Sequence, residues 1–401
     1  MNKSVAVIGG GASGFFTAIQ IKENKPDYDV TIYEKTTKLL SKVKVSGGGR
    51  CNVTHACYTP RDLVKNYPRG EKELRSVFSK FQPGDTIDWF AQNGVELKTE
   101  EDGRMFPTTD SSQTIIDCFT RKAEKLGIKV KTKAELVSYS KGDQFNLAFK
   151  EFEAKADVLV LGTGGGNKLS YYDLIEDHQI NGPLPSLFTF NIPEEKLHDL
   201  KGLSVPHAEV KIEGSKLKEF GPLLITHWGM SGPAIIKLSA FGAEYLADLD
   251  YNYSILVNWI GLGQDQCKED LIDIKNSGSK SKVYNDLPGE LPGRIRKYLV
   301  ERAGVHEKSW ADVSKKEMNK LTQELTNGRF EVKGRTTFKE EFVICGGVDR
   351  KEVDFKSMES KQVNNLYFVG ELLDVDGITG GFNFQNAWST AFIAAQSITS
   401  E

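Results

Sequence analysis

The chain has 401 residues, 39% apolar, 27% charged and 10% aromatic, which excludes disorder, a collagen-like repeat and a membrane-embedded chain. Lysine and arginine number 52 against 55 aspartates and glutamates, a net charge of −3, so no global field draws the chain to nucleic acid or anionic lipid. A prior of about one domain per 150 residues gives two or three units, large enough to hold cores without disulfide staples.

Cys51, Cys57, Cys118, Cys267 and Cys345 are scattered and form no Cys-x-x-Cys pair, which argues against a disulfide framework and a structural zinc site. Three nearby donors, Cys51, His55 and Cys57, lack a fourth, so no metal is expected. The apolar run Val5–Ile8 ends in glycine and is no signal segment, and no window reaches the ~18 apolar residues of a spanning helix. A cytoplasmic protein is expected.

Seventeen of the 38 glycines lie in five clusters, 9–14, 47–49, 162–166, 346–347 and 370–381. Such clustering suggests one extended ligand met by several stretches of bare backbone. The chain opens with the apolar strand Val5–Ile8 and the turn Gly9-Gly10-Gly11-Ala12-Ser13-Gly14. A helix follows, with apolar residues at 12, 15, 16 and 19. Gly9 makes the turn, Gly11 admits a pyrophosphate and Gly14 lets helix pack on strand, while Ala12 and Ser13 open the helix toward the phosphates. A second strand, Asp29–Tyr33, ends in Glu34, 20 residues after Gly14, where a carboxylate binds an adenosine ribose; Lys35 follows it.

Next come a basic stretch, Lys35 to Lys44, and the loop Ser46-Gly47-Gly48-Gly49-Arg50-Cys51-Asn52. Arg50 suits pyrophosphate oxygens and Asn52 offers a donor and an acceptor to a flavin edge. Apolar residues at 115, 119, 123 and 126 predict a helix from Ser112 to Leu126 stopped by Gly127, then a strand at 128–130 and a meander to about 161, with Leu136 near adenine. The run Ala156–Leu161 reads as a buried parallel strand leading into Gly162, Thr163, Gly164 and Gly165, at the strand end where open α/β sheets bind ligands.

From Pro183 the texture changes to short alternating segments such as 208–212 and 253–260, predicting antiparallel β structure. The charge-rich stretch 263–327, with its Leu-Pro-Gly turns at 287–289 and 291–293, predicts short helices whose charges form a solvated face. The strand Leu366–Val369 then leads to Gly370, Glu371 and Asp374, and Gly380-Gly381-Phe382-Asn383 begins a last helix. Glu371 or Asp374 suits ribityl hydroxyls, and the helix N-terminus at Gly381, Phe382 and Asn383 suits a flavin pyrimidine that gains negative charge on reduction. Loops so far along the chain point to FAD, which is longer than NAD.

The runs Ser46–Thr54, Gly103-Arg104-Met105-Phe106-Pro107, Thr226-His227-Trp228-Gly229-Met230-Ser231-Gly232-Pro233 and Gly346-Gly347-Val348 through Met358-Glu359-Ser360-Lys361 resemble the BaiN-like (HI0933-type) family of FAD-dependent oxidoreductases over essentially the whole chain. The one departure noted is His55, where the family pattern carries Asn. The resemblance implies an α/β fold: a glutathione-reductase-type FAD-binding Rossmann domain with an inserted antiparallel β-barrel domain and a small helical domain. The FAD domain is expected at 1–184 and 345–401, the barrel at 185–262 and 328–344, and the helical insert at 263–327. Aminoacetone oxidation and dehydro-bile-acid reduction are activities linked to the family.

Among the chemical candidates, His227 is the acid or base, or else Ser231 simply caps a helix with Pro233 in its first turn. Arg104 and Phe106 either hold an anionic substrate or only buttress the domain junction, and Cys51 is expected to pack beside the flavin without redox chemistry. The expected function is hydride transfer between a small amine or enone and flavin N5, with NAD(P)H or O2 as second substrate, since no second nucleotide fingerprint is present. A redox sensor and an RNA-modification-related flavoprotein are the alternatives. The residues assign neither an oligomeric state nor a nucleic-acid or membrane partner.

Overall fold

The computed structural model describes residues 2–278, 280–336 and 343–400. Two compact units divide the chain, Met1–Pro185 with Val343–Glu401, and Ser186–Phe342. The stretch 328–344, expected to return the chain to the barrel, is described only at 328–336 and 343–344.

The first unit is built on a seven-stranded sheet whose spatial order is 353–354, 359–360, 366–368, 158–161, 4–8, 29–34 and 129–132. The five strands from 366–368 to 129–132 run parallel, with Val5 opposite both Val158 and Val30, and Leu159 opposite Leu366. Val5–Ile8 and Val158–Leu161 are almost wholly apolar and at most 5% exposed, as strands covered on both faces must be. The Ser4–Ile8 strand and the Ala12–Asn24 helix follow from the sequence pattern. The Ser112–Lys125 helix does end where Gly127 adopts φ +67°.

One boundary differs from expectation. The parallel strand begins at Val158 because Asp157 takes both the Ser4 N–H and hydroxyl at 2.7 Å, and Glu153–Ala156 belongs instead to a three-stranded meander with 136–141 and 145–149. Beside the sheet, Phe16, Trp89, Phe119 and Trp388 form an aromatic core that joins the first helix to the last, Phe382–Thr399.

The second unit is a seven-stranded antiparallel sheet ordered 328–333, 252–258, 204–212, 218–225, 229–231, 189–191 and 335–336. Helices Gln264–Ser277, Gly293–Ala303 and Lys315–Asn327 occupy the charge-rich stretch. They share one core with the sheet, in which Val210, Val257, Leu271, Leu299, Leu321 and Phe330 are buried together. Ser231 does not cap the following helix. It lies in a strand with its hydroxyl on Thr189 (3.0 Å), and Gly232 takes the cap position at φ +91°, with Pro233 next. Among the described residues no helix is long and apolar enough to cross a membrane.

Candidate functional site

The glycine-rich loops of the first unit gather at the carboxyl ends of its parallel strands. The Gly9 N–H donates to the Tyr33 carbonyl (2.8 Å) and the Gly162 N–H to that of Ile8 (2.8 Å), which ties the first and third loops together. A Cβ on Gly14 would stand 2.0 Å from the Gly9 carbonyl oxygen, so close helix–strand packing requires glycine there. A Cβ on Gly11 would meet nothing within 4 Å. Gly11 also begins a helix with no side-chain cap and no acidic residue in its first turn, so the helix start, with Ala12 first, offers bare N–H groups to open space. Ser13 is buried, with its hydroxyl beside Gly162 and Gly370.

Glu34 sits at the end of its strand and accepts from the Gly10 and Thr36 N–H groups (both 2.9 Å), which leaves carboxylate lone pairs for further donors. The Ala134 N–H bonds the Glu34 carbonyl (2.9 Å), bringing the nearby Leu136, 8% exposed, toward the same strand end. The Lys35 ammonium stands 4.7 Å from the centroid of the Tyr171 ring.

In the second loop the backbone turns left-handed at Gly47 (φ +57°), Gly48 (+68°), Gly49 (+85°) and even Cys51 (+63°). Ser46 donates to the Val43 carbonyl (3.0 Å), and Gly48 faces open space. Cys51 is fully buried, and burial pushes its thiol up to about 12, so it is not a thiolate at neutral pH. Asn52 donates to the carbonyls of Thr54 (3.0 Å) and Met105 (3.3 Å) and accepts from the Gly381 N–H (3.0 Å). These bonds tie the loop to strands 54–55 and 104–107 and to the start of the last helix, which makes Asn52 a positioning residue and not the catalytic one expected.

Two further expectations, for Arg50 and Phe106, differ from what the structure shows. Arg50 does not face phosphate: it pairs with Glu100 (2.6 Å) and Asp110 (3.6 Å) and lies 3.9 Å over the Phe106 ring. Phe106 is fully buried behind the loop, where a Cβ on Gly47 would touch it, so it supports the loop and cannot line a substrate site. Arg104 is ion-paired with Asp102 (2.7 Å) and with Glu100 (3.0 Å), which offsets its charge.

The Thr163 carbonyl accepts from the Tyr171 hydroxyl (2.7 Å), and Gly164 (φ +79°) and Gly165 run past Glu371. Glu371 is ion-paired with Lys42, whose ammonium the carboxylate holds above its ordinary pKa. Asp374 is buried: one carboxylate oxygen accepts from Asn181 (2.8 Å) and Arg350, while the other has no partner among the described residues. The last helix begins at Gly381 (φ +95°) without a side-chain cap or first-turn acid. The Phe382 carbonyl accepts from the Tyr67 hydroxyl (2.6 Å), and its ring stacks on His55. The Asn383 side chain is spent on both the N–H and the carbonyl of Gly377 (2.8 and 2.9 Å). The 346–347 cluster is not ligand-facing, because a Cβ at either glycine would strike backbone oxygen within 2.5 Å.

His227 lies in the second unit, exposed on the turn between strands Lys218–Ile225 and Gly229–Ser231, with no hydrogen bond among the described residues. The sequence reading missed Lys42, the buried bidentate pair Arg69–Asp376, and Asn386, which is fully buried with an amide that has no partner among the described residues. Only Lys42 had a signal, its place in the basic stretch after Glu34.

A long ligand with a pyrophosphate centre and a polar, reducible end fits these residues: two uncapped helix N-termini, an open glycine at one of them, a ribose-type carboxylate, and a buried orphan carboxylate oxygen. The HI0933-like protein Rossmann domain model matches residues 3–397. The chain belongs to the HI0933-like family of FAD-dependent oxidoreductases. It is 29% identical over 411 residues to a Haemophilus influenzae protein named ribosomal RNA dihydrouridine synthase, covering 98% of each chain. It is 26% identical to a Clostridium scindens 3-dehydro-bile acid delta(4,6)-reductase, covering 99% of this chain and 98% of that one. In fold it is similar to a 3-ketosteroid delta1-dehydrogenase from Sterolibacterium denitrificans, with a TM-score of 0.52 at 10% identity and full coverage of both chains.

Proposed function

We propose that this flavoenzyme reduces a carbon–carbon double bond conjugated to a carbonyl. The observation that carries this reading is the uncapped start of the last helix at Gly381, held against the second loop by Asn52. Its dipole sets a positive potential where reduction of a flavin places negative charge. The names of the two curated relatives agree in chemistry while differing in substrate. Saturating uridine, or the 4,5 double bond conjugated to a 3-keto group, adds a hydride to the carbon β to a carbonyl and a proton to the α carbon, and the 6,7 bond is reduced by the same conjugate addition one vinyl unit further out.

In this reading FAD lies with its pyrophosphate on the Gly9–Gly14 turn and the Ala12–Asn24 helix start, and with its adenosine ribose at Glu34. Its polyol chain takes the free oxygen of Asp374 and the edge of Glu371, and its pyrimidine meets Gly381. Gly48, Gly162, Thr163, Gly164, Gly165 and Gly370 give it bare backbone. Bound FAD supplies hydride chemistry at N5. NADH or NADPH is the proposed reductant, docking transiently.

The test is the visible spectrum of the purified protein, followed anaerobically with NADH, NADPH, a panel of enones and a panel of amines. The expected result is a yellow protein bleached by a nicotinamide and recoloured by an enone. Bleaching by amines with oxygen as the only oxidant overturns the reductase assignment, and a colourless protein that takes up no FAD overturns the cofactor assignment.

A second reading takes uridine within RNA as the reduced alkene. The Haemophilus influenzae relative favours it, since it matches over 98% of both chains; the chain's net charge of −3 opposes it. Incubation with RNA and reductant, followed by nucleoside mass spectrometry for a gain of two hydrogens on uridine, decides between free enone and RNA.

A further inference from the structure

We propose that a cavity in the second unit, at the start of the Gly293–Ala303 helix, is a phosphate site for an RNA backbone. The cavity has a volume of about 580 Å³ and is lined by Leu203, Tyr284, Asn285, Arg294, Arg296 and Lys297, among others. That is room for a nucleotide-sized ligand and more than a lone phosphate needs.

Its three cations are without a carboxylate partner among the described residues. Arg294 donates to the Asp199 carbonyl, Arg296 to the carbonyls of Leu291 and Asn285 (both 2.9 Å), and the Lys297 ammonium stands 5.4 Å from the Tyr284 ring centroid. The bonds of Arg296 use Nε and Nη1 and leave Nη2 for a ligand. The positive charge is also at the wrong end of its helix. Cations belong at a helix C-terminus, yet these occupy the first turns of a helix that has Pro292 at its cap, no side-chain cap and no acid in the first turn. Mutual repulsion of the cations and their repulsion by the helix dipole are both relieved by one bound anion. Tyr284 adds an aromatic wall beside the charge, the combination that holds single-stranded nucleic acid.

The anion site stands on this geometry alone, whereas RNA as the source of the phosphate rests on the second reading above. The experiment measures anisotropy of a fluorescein-labelled single-stranded RNA with the flavin-loaded protein across a salt series, with inorganic pyrophosphate as competitor. Three phosphate contacts give an expected slope of log K against log salt of about −2. The R294E/K297E variant is expected to bind about tenfold or more weakly with unchanged flavin absorbance and melting temperature. Lys297→Gln, a single change of an exposed side chain, is expected to flatten the slope by about 0.7 and serves if the double variant misfolds. Equal RNA binding by wild type and variants overturns the site. Binding of pyrophosphate without RNA, even at low salt, overturns the RNA assignment. Flavin absorbance in every sample reads out failure of the cofactor assignment separately.

Discussion

Gly11 and Gly14 lie three residues apart, and their surroundings give them opposite roles. Gly11→Val adds atoms to open space and changes a helix cap, at a cost of about 1 kcal/mol. The protein is expected to fold and to be colourless, as judged by the ratio of flavin to protein absorbance. Gly14→Ala drives a methyl into the Gly9 carbonyl and is expected to lower the melting temperature before any question of colour arises. A yellow Gly11→Val protein ends the pyrophosphate assignment. The Arg69–Asp376 pair is 7% and 2% exposed, so Asp376→Asn leaves a buried guanidinium without its carboxylate. Denaturant titration is expected to show a loss of about 3–5 kcal/mol, and a loss under 1 kcal/mol contradicts the pairing. At this scale the sequence was legible where backbone alone mattered, as at Gly9, Gly11 and Gly14. It was not legible for Arg50, because the partners that claim it, Glu100 and Asp110, stand 50 and 60 residues away. Nor was the cap at Gly232 legible, because it depends on a positive φ that neighbouring Ser231 conceals.

Among the elements, the Lys315–Asn327 helix carries a pH-dependent clamp. Ser314 and Glu317 cap each other's backbone N–H groups (3.3 and 3.0 Å), and Lys308 holds the same carboxylate at 2.8 Å. Lys308 first, then the bonds to Ser314, lower Glu317 from 4.5 to about 2. Because the folded value is the lower one, the stabilisation is present above pH 4.5 and disappears as pH falls toward 2. Glu317→Gln is therefore expected to melt below wild type at pH 7, and the gap is expected to close across that window. A gap independent of pH contradicts the clamp. Elements were legible from the sequence where periodicity was unbroken, as in helix 112–125. The apolar run at 156–161 was read two residues too long because Asp157, bonded across to Ser4, interrupts it, and that partner is 153 residues away.

On the scale of the whole molecule, the FAD unit is closed by distant pairings, Val5 with Val158 and Leu159 with Leu366, while the second unit is one continuous stretch with the hairpin 204–212/218–225 at its centre. Loop closure makes the discontinuous unit the slower to form. Pulse-labelled hydrogen exchange during refolding is expected to protect amides of 204–258 before those of 4–8 and 158–161, and the reverse order contradicts this. In the proposed FAD site the seat for the pyrimidine is formed by residues 370–383, far along the chain from the nucleotide turn at 9–14. On that reading a chain interrupted before residue 370 keeps its nucleotide turn and lacks the seat for the redox ring. Synthesis must therefore reach both segments before any enzyme exists.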